Sequence, residues 1–244
     1  MNKGHIYNKI VLALCFIFLC SLADAGELSE NQLQSAFKPS FTSIEGEQTA
    51  GTAFVVIYNS DFYAVTAHHL FSEAGGFSRE YSWKELPELV SKVTIQSLTN
   101  ESINYSTGKA IPIKGARSVS NWTSKNDIAI FKLDQRPKHY LKIAEVSPKV
   151  GDPVWLYGLV YNRPETLLLH EAVVVESNNN WVSYEFKDSG LVLNGTSGAA
   201  ILDSNGNVVS INLSGGEDEG KLYGYGNPLV SIKDKFNTYV PKRP

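Results

Sequence analysis

Short apolar, β-branched runs broken by glycine, asparagine and aspartate recur along the chain, and such spacing predicts strands rather than helices. Residues 51–58 form one run, Asn59-Ser60-Asp61 a turn, and residues 62–66 the returning strand. Further strands are predicted over 92–97, 110–113 and 127–133, while residues 136–150, opened by Arg136-Pro137, read as a connection. A second series starts at Gly151-Asp152-Pro153 and continues as a hairpin of 167–176 and 181–186 across Asn178-Asn179-Asn180. It then reads strand, turn and strand over 197–212, with Asn205-Gly206 expected to supply the positive φ values of a tight hairpin. Helices are few. Ser29-Glu30-Asn31-Gln32 has the Ser-x-x-Gln capping pattern and predicts a short helix to about Phe37; two others are expected within 83–91 and 229–236. Residues 72–90, with Gly75-Gly76, read as an insertion between strands. The pattern is that of an all-β domain pair.

The first 25 residues read differently. Lys3 and Lys9 precede an apolar run from Ile10 to Leu19, and Ala23-Asp24-Ala25 offers small residues where a signal peptidase cuts. This is the pattern of a secretory signal peptide cleaved after Ala25, too short in its apolar part to span a bilayer. Cys15 and Cys20, both cysteines of the chain, fall inside it. The rest must stand without disulfides, which points to a bacterial periplasm or medium rather than an animal secretory route. A net charge of −3 with no basic cluster suggests neither nucleic acid nor an anionic membrane as partner.

Chemistry concentrates in Asn194-Gly195-Thr196-Ser197-Gly198-Ala199-Ala200. Glycines on both sides of a serine let the backbone take values of φ that a Cβ forbids, so that two N–H groups can converge on one oxygen. By itself this is also an ordinary loop. A serine nucleophile needs a base and the base an orienting group. Thr66-Ala67-His68-His69 ends one apolar strand, and Asn126-Asp127-Ile128-Ala129 begins another. A lone histidine there is more often structural, and Asp134 or Asp152 could orient it instead of Asp127, whose place before Ile128-Ala129-Ile130, at the entry to a buried strand, favours it. For a metal, His139 and His170 show no ligand spacing to the His68-His69 pair, and no cysteine remains after the signal segment.

In order, Thr-Ala-x-His, Asp-Ile-Ala and Gly-x-Ser-Gly resemble the trypsin-like, chymotrypsin-fold serine endopeptidases. The hairpin over 197–212, Gly151 to Gly158 and Gly224-Tyr225-Gly226-Asn227-Pro228 resemble bacterial members of the high-temperature-requirement type. The resemblance spans about residues 48–240. It implies two six-stranded antiparallel β-barrels, residues 26–145 carrying His and Asp and 146–244 carrying Ser, with the site in the cleft between them. It implies further that His69 is the general base, Asp127 its orienter, Ser197 the nucleophile, and the N–H groups of Gly195 and Ser197 the oxyanion hole. No metal or cofactor is called for, and the partner is a peptide or protein substrate.

Several departures narrow the expectation. Animal digestive members place before the serine an aspartate that traps a new N-terminus; here it is Thr196, so activation by that ion pair is not expected. The floor of the primary specificity pocket falls on Leu191, which implies apolar or small side chains rather than Arg or Lys. The substrate main chain is implied to run beside Leu213, Ser214 and Gly215. Leu213 stands where the family has a serine supporting the aspartate, which favours a rival reading: a catalytically silent protein that binds peptides or a surface partner. An esterase would be expected to show a Gly-x-Ser-x-Gly elbow and alternating helices, which the chain lacks. The peptide-binding module that follows the second barrel in larger relatives is not expected here.

Overall fold

The computed structural model describes residues 34–121 and 123–241, so the signal segment lies outside the described residues. The first barrel consists of β1 (Ala36–Ser43), β3 (Ala53–Tyr58), β4 (Asp61–Thr66), β5 (Val90–Ser97), β6 (Asn104–Ala110) and β7 (Ala129–Leu133), with a short β2 (Gly46–Thr49) flanking β1. Its order is β1-β3-β4-β7-β6-β5, closed by antiparallel pairing of β1 with β5. The second barrel consists of β8 (Pro153–Tyr157), β9 (Leu169–Ser177), β10 (Val182–Phe186), β11 (Ala200–Leu202), β12 (Val208–Asp218) and β13 (Lys221–Gly226). It closes in the order β10-β13-β12-β11-β8-β9. The all-β, two-barrel expectation therefore holds.

Several local expectations are corrected. The helix predicted to run to Phe37 does not reach it: residues 29–33 lie outside the described residues, and Ala36 already opens β1. Phe37, Pro39 and Phe41 alternate inward with period two, and closure of the barrel through β5 outweighs the local capping signal. The strand expected at 110–113 is shifted to β6, whose polar residues are chosen by their register on β5, with Ile95 opposite Tyr105. In the 205–206 turn only Gly206 has a positive φ, of 73°. The hairpin is closed by Gly206 N–H to Asp203 O and Asp203 N–H to Asn207 O, each at 2.9 Å, and the Asp203 carboxylate accepts in addition from the N–H groups of Asn205 and Asn207. The turn at Asn59 and Ser60 does place two residues at positive φ, 48° and 64°.

Helices are short. Within the insertion, α1 (Leu86–Leu89) is a single turn that runs straight into β5. The C-terminal α2 (Leu229–Tyr239) extends beyond the predicted 236 and returns to the first barrel. There Phe236 packs on Tyr58 and, edge-on, on Tyr63, with ring centroids 5.0 and 5.8 Å away. Tyr58 donates to Asn237 Oδ1 at 2.6 Å. The core that holds Phe41, Phe71 and Phe131 of the first barrel also takes in Tyr157, Ala200 and Ile211 of the second, so the barrels share a packed wall. Among the described residues no helix is long and apolar enough to cross a membrane.

Candidate active site

In the β4–β7 pair Thr66 lies opposite Ala129, so the end of β4 and the start of β7 meet at one rim of the first barrel. Residues His68–Phe71 continue β4 as a tight turn, and Asp127 precedes β7 by two positions. The consequence is a two-point contact. His69 donates its main-chain N–H to Asp127 Oδ1 and its Nδ1–H to Asp127 Oδ2, each at 2.8 Å. The Asp127 side chain is fully buried and that of His69 is 15% exposed, so the carboxylate is paired where water cannot serve it while the ring keeps an open edge.

His68 behaves differently. Its Nε2 lies 2.9 Å from the Tyr81 carbonyl oxygen, to which it can only donate, so His68 ties the insertion to the barrel. Burial holds its pKa below 6.5. His170, buried with Nε2 3.2 Å from Gly158 O, is lowered for the same reason. Asp152 accepts from the Lys149 N–H in its own turn.

Ser197 comes from the second barrel, three residues before β11. Two contacts pin its loop to the first barrel: Thr52 N–H donates to Ser197 O at 2.8 Å, and Thr52 Oγ1 donates to Gly195 O at 2.9 Å. Gly198, at φ +87°, makes this approach possible. A Cβ there would lie 2.2 Å from Thr52 O, 2.3 Å from Thr66 Oγ1 and 3.0 Å from Ala67 N. A Cβ on Gly51 would strike both Ser197 O, at 2.7 Å, and the Leu70 side chain. The serine loop thus sits against the same backbone that carries His69. The Ser197 hydroxyl itself donates to Leu213 O at 3.3 Å, and among the described residues no hydrogen bond joins it to the imidazole.

Hydrogen bonds within the loop use Thr196 N–H to Leu193 O, Gly198 N–H to Asn212 O and Ala199 N–H to Thr196 O. The N–H groups of Gly195, at φ +84°, and Ser197 donate to no carbonyl in that set. Leu191 is buried in the second-barrel core, and Leu213 is buried and can offer Asp127 no hydroxyl. Ser214 and Gly215 are exposed on β12. Past residue 213, β12 pairs with β13 alone, leaving its other edge open. The Leu193 side chain packs onto Gly215, where a Cβ would fall 2.4 Å from Leu193 Cδ1. The contribution of Thr52 was not anticipated from the sequence. Its one signal is that it follows Gly51 at the mouth of a strand.

The two glycines flanking Ser197 should respond differently to alanine. Gly195→Ala meets no atom within 4 Å and should cost about 1–2 kcal/mol from backbone strain. Gly198→Ala adds collisions with backbone and should cost clearly more; equal urea midpoints for the two variants would contradict this. A second expectation concerns pH. For His68 and His170 the folded pKa lies below the unfolded value, so the unfolded chain binds more protons in that window. Their contribution is complete above about pH 6.5 and is lost as pH falls, so the thermal midpoint should drop between pH 7.5 and 5. A flat midpoint over that range would refute it.

The sequence profile of the trypsin-like peptidase domain matches residues 51–211. Among curated proteins none matches the chain in sequence. Solved structures show the same fold. The Rv3671c protease from M. tuberculosis in its active form aligns at a TM-score of 0.57 with 16% identity, covering 87% of this chain and 84% of that one. A Glu endopeptidase aligns at 0.57 with 17% identity over 84% and 89%. The thermostable serine protease AL20 from an extremophilic microorganism aligns at 0.56 with 14% identity over 85% and 97%. With that profile spanning most of both barrels, the chain belongs to the trypsin-like peptidase family and is a serine endopeptidase of chymotrypsin fold.

Proposed function

We propose that the protein is exported and hydrolyses peptide bonds through Ser197, His69 and Asp127 with an acyl-enzyme intermediate. The observation that carries the reading is the double hydrogen bond from His69 to the buried Asp127, in a turn that abuts the Ser197 loop. With Nδ1–H held by Asp127, the lone pair of the neutral ring lies on Nε2, which is the nitrogen needed as base. Proton transfer requires the Ser197 hydroxyl to leave Leu213 O and donate to that nitrogen. His69 then takes the proton as Oγ bonds to the substrate carbonyl carbon. The oxyanion is received by the N–H groups of Gly195 and Ser197. Collapse breaks the C–N bond as His69 returns the proton to the leaving amine, and water attacks the ester by the same route in reverse.

A substrate strand added along the open edge of Leu213, Ser214 and Gly215 would present its side chain toward Leu191. Burial rather than charge is then the selecting force, which supports a preference for apolar or small residues.

Ser197→Ala should lower turnover by about 10⁴- to 10⁶-fold and abolish labelling by a fluorophosphonate. Wild-type protein that fails to label would overturn the assignment of Ser197 as nucleophile. In a matched fluorogenic series an apolar residue should be cleaved fastest, and Arg fastest would overturn the pocket assignment. For export, protein recovered outside the cytoplasm should begin at Gly26, as read by mass spectrometry of its N-terminal peptide; recovery of uncleaved chain only in the cytoplasm would refute it.

A further inference from the structure

Thr196 lies between the two N–H groups assigned to the oxyanion and is completely buried. In place of a charged partner it meets a chain of neutral groups. The buried Tyr184 hydroxyl donates to Asn212 Oδ1 at 2.6 Å. Asn212 Nδ2 donates to Thr196 Oγ1 at 2.9 Å and to Thr196 O at 3.2 Å. Thr196 Oγ1 donates in turn to Leu193 O at 2.6 Å. Burial pushes the Tyr184 phenol well above its ordinary pKa, so it remains a donor. A tyrosine donor admits only the amide oxygen of Asn212, which turns both amide hydrogens toward Thr196 and leaves the Thr196 proton one acceptor. The chain therefore runs in a single direction from Tyr184 to Leu193. Its effect on the loop follows from peptide planarity. Drawing Thr196 C=O inward to Asn212 makes the Ser197 N–H, trans to it across the same peptide, point the opposite way.

We infer that Tyr184 and Asn212 are positioning residues that hold Thr196, and through it the oxyanion-binding N–H of Ser197, in working orientation, so that this endopeptidase is assembled competent, without a newly cut N-terminus. The inference rests on the reading of Ser197 as nucleophile. Asn212 also accepts from Gly198 N–H at 2.7 Å and donates to Ala199 O at 2.8 Å through its main chain, so one residue braces both sides of the serine. Gly224 leaves room for the Tyr184 ring, since a Cβ there would lie 2.2 Å from it.

The test compares Thr196→Val, which keeps shape and loses the hydroxyl, with Thr196→Ser, which keeps it, and with Tyr184→Phe. Each is assayed for kcat and KM on a peptide substrate, and for binding of a peptide aldehyde, which forms an oxyanion on Ser197, and of the matching alcohol, which does not. Thr196→Val and Tyr184→Phe should lower kcat by about 10- to 100-fold with KM nearly unchanged. Aldehyde affinity should fall in parallel while alcohol affinity holds, and Thr196→Ser should recover most of the loss. A folded Thr196→Val protein with wild-type aldehyde affinity, or with both ligands weakened equally, overturns the inference; should that variant not fold, Tyr184→Phe decides on the same readouts. Wild-type protein that neither cleaves nor labels with fluorophosphonate sinks the proteolytic reading itself, whereas labelled wild type with unaffected variants sinks this inference alone.

Discussion

The whole arrangement hangs on one close approach, that of the Gly198 backbone to the backbone of Thr52 and Ala67. No side chain fits in that gap, so the two barrels meet main chain to main chain, with the Thr52 N–H and hydroxyl each donating into the serine loop. A hydroxyl on one barrel and an imidazole on the other can cooperate only if their separation is set to within a fraction of an ångström. Backbone contact sets it more rigidly than flexible side chains could. The shared wall of Phe41, Phe71, Phe131, Tyr157 and Ile211, and the return of Phe236 onto Tyr58 and Tyr63, keep the gap from opening.

Asp127 is a fully buried carboxylate, tolerable because two N–H groups of one residue face its two oxygens. Behind Thr196 the hydrogen-bonded groups are neutral. Thr196, Asn212 and Tyr184 satisfy one another where relatives of the animal digestive type carry an aspartate and an N-terminus. A neutral chain avoids the desolvation of an ion pair and does not depend on a cleavage to create one partner.

The parts of the fold that were legible in the sequence are those with a strong local pattern. The β3–β4 hairpin announced itself through a long apolar run, a turn whose two residues adopt positive φ, and an apolar return. Where the pattern was weak, tertiary partners decided. β1 carries a proline and a lysine yet closes the first barrel, and β6 is largely polar yet pairs because β5 offers it an edge. At the 205–206 turn the expected tight hairpin forms, with Gly206 N–H donating to Asp203 O at 2.9 Å, but the Asp203 side chain also accepts from Asn205 and Asn207 and only Gly206 takes a positive φ, which the Asn-Gly pair alone could not reveal.

Sequence by itself determined the class of fold and the supply of chemical groups, because alternation, turn residues and short motifs are local properties of neighbouring positions. It could name a histidine after Thr66-Ala67, an aspartate before Ile128 and a serine between glycines. The Thr-Ala-x-His spacing pointed to His69 over His68 only through resemblance; the physical reason lies in three dimensions, where the turn after β4 directs His69 to Asp127 and His68 to Tyr81. The roles of Thr52, Asn212 and Tyr184 likewise arise from contacts between residues far apart in the chain. Such contacts exist only once the barrels close, and no local pattern of residues can encode a distance across a cleft.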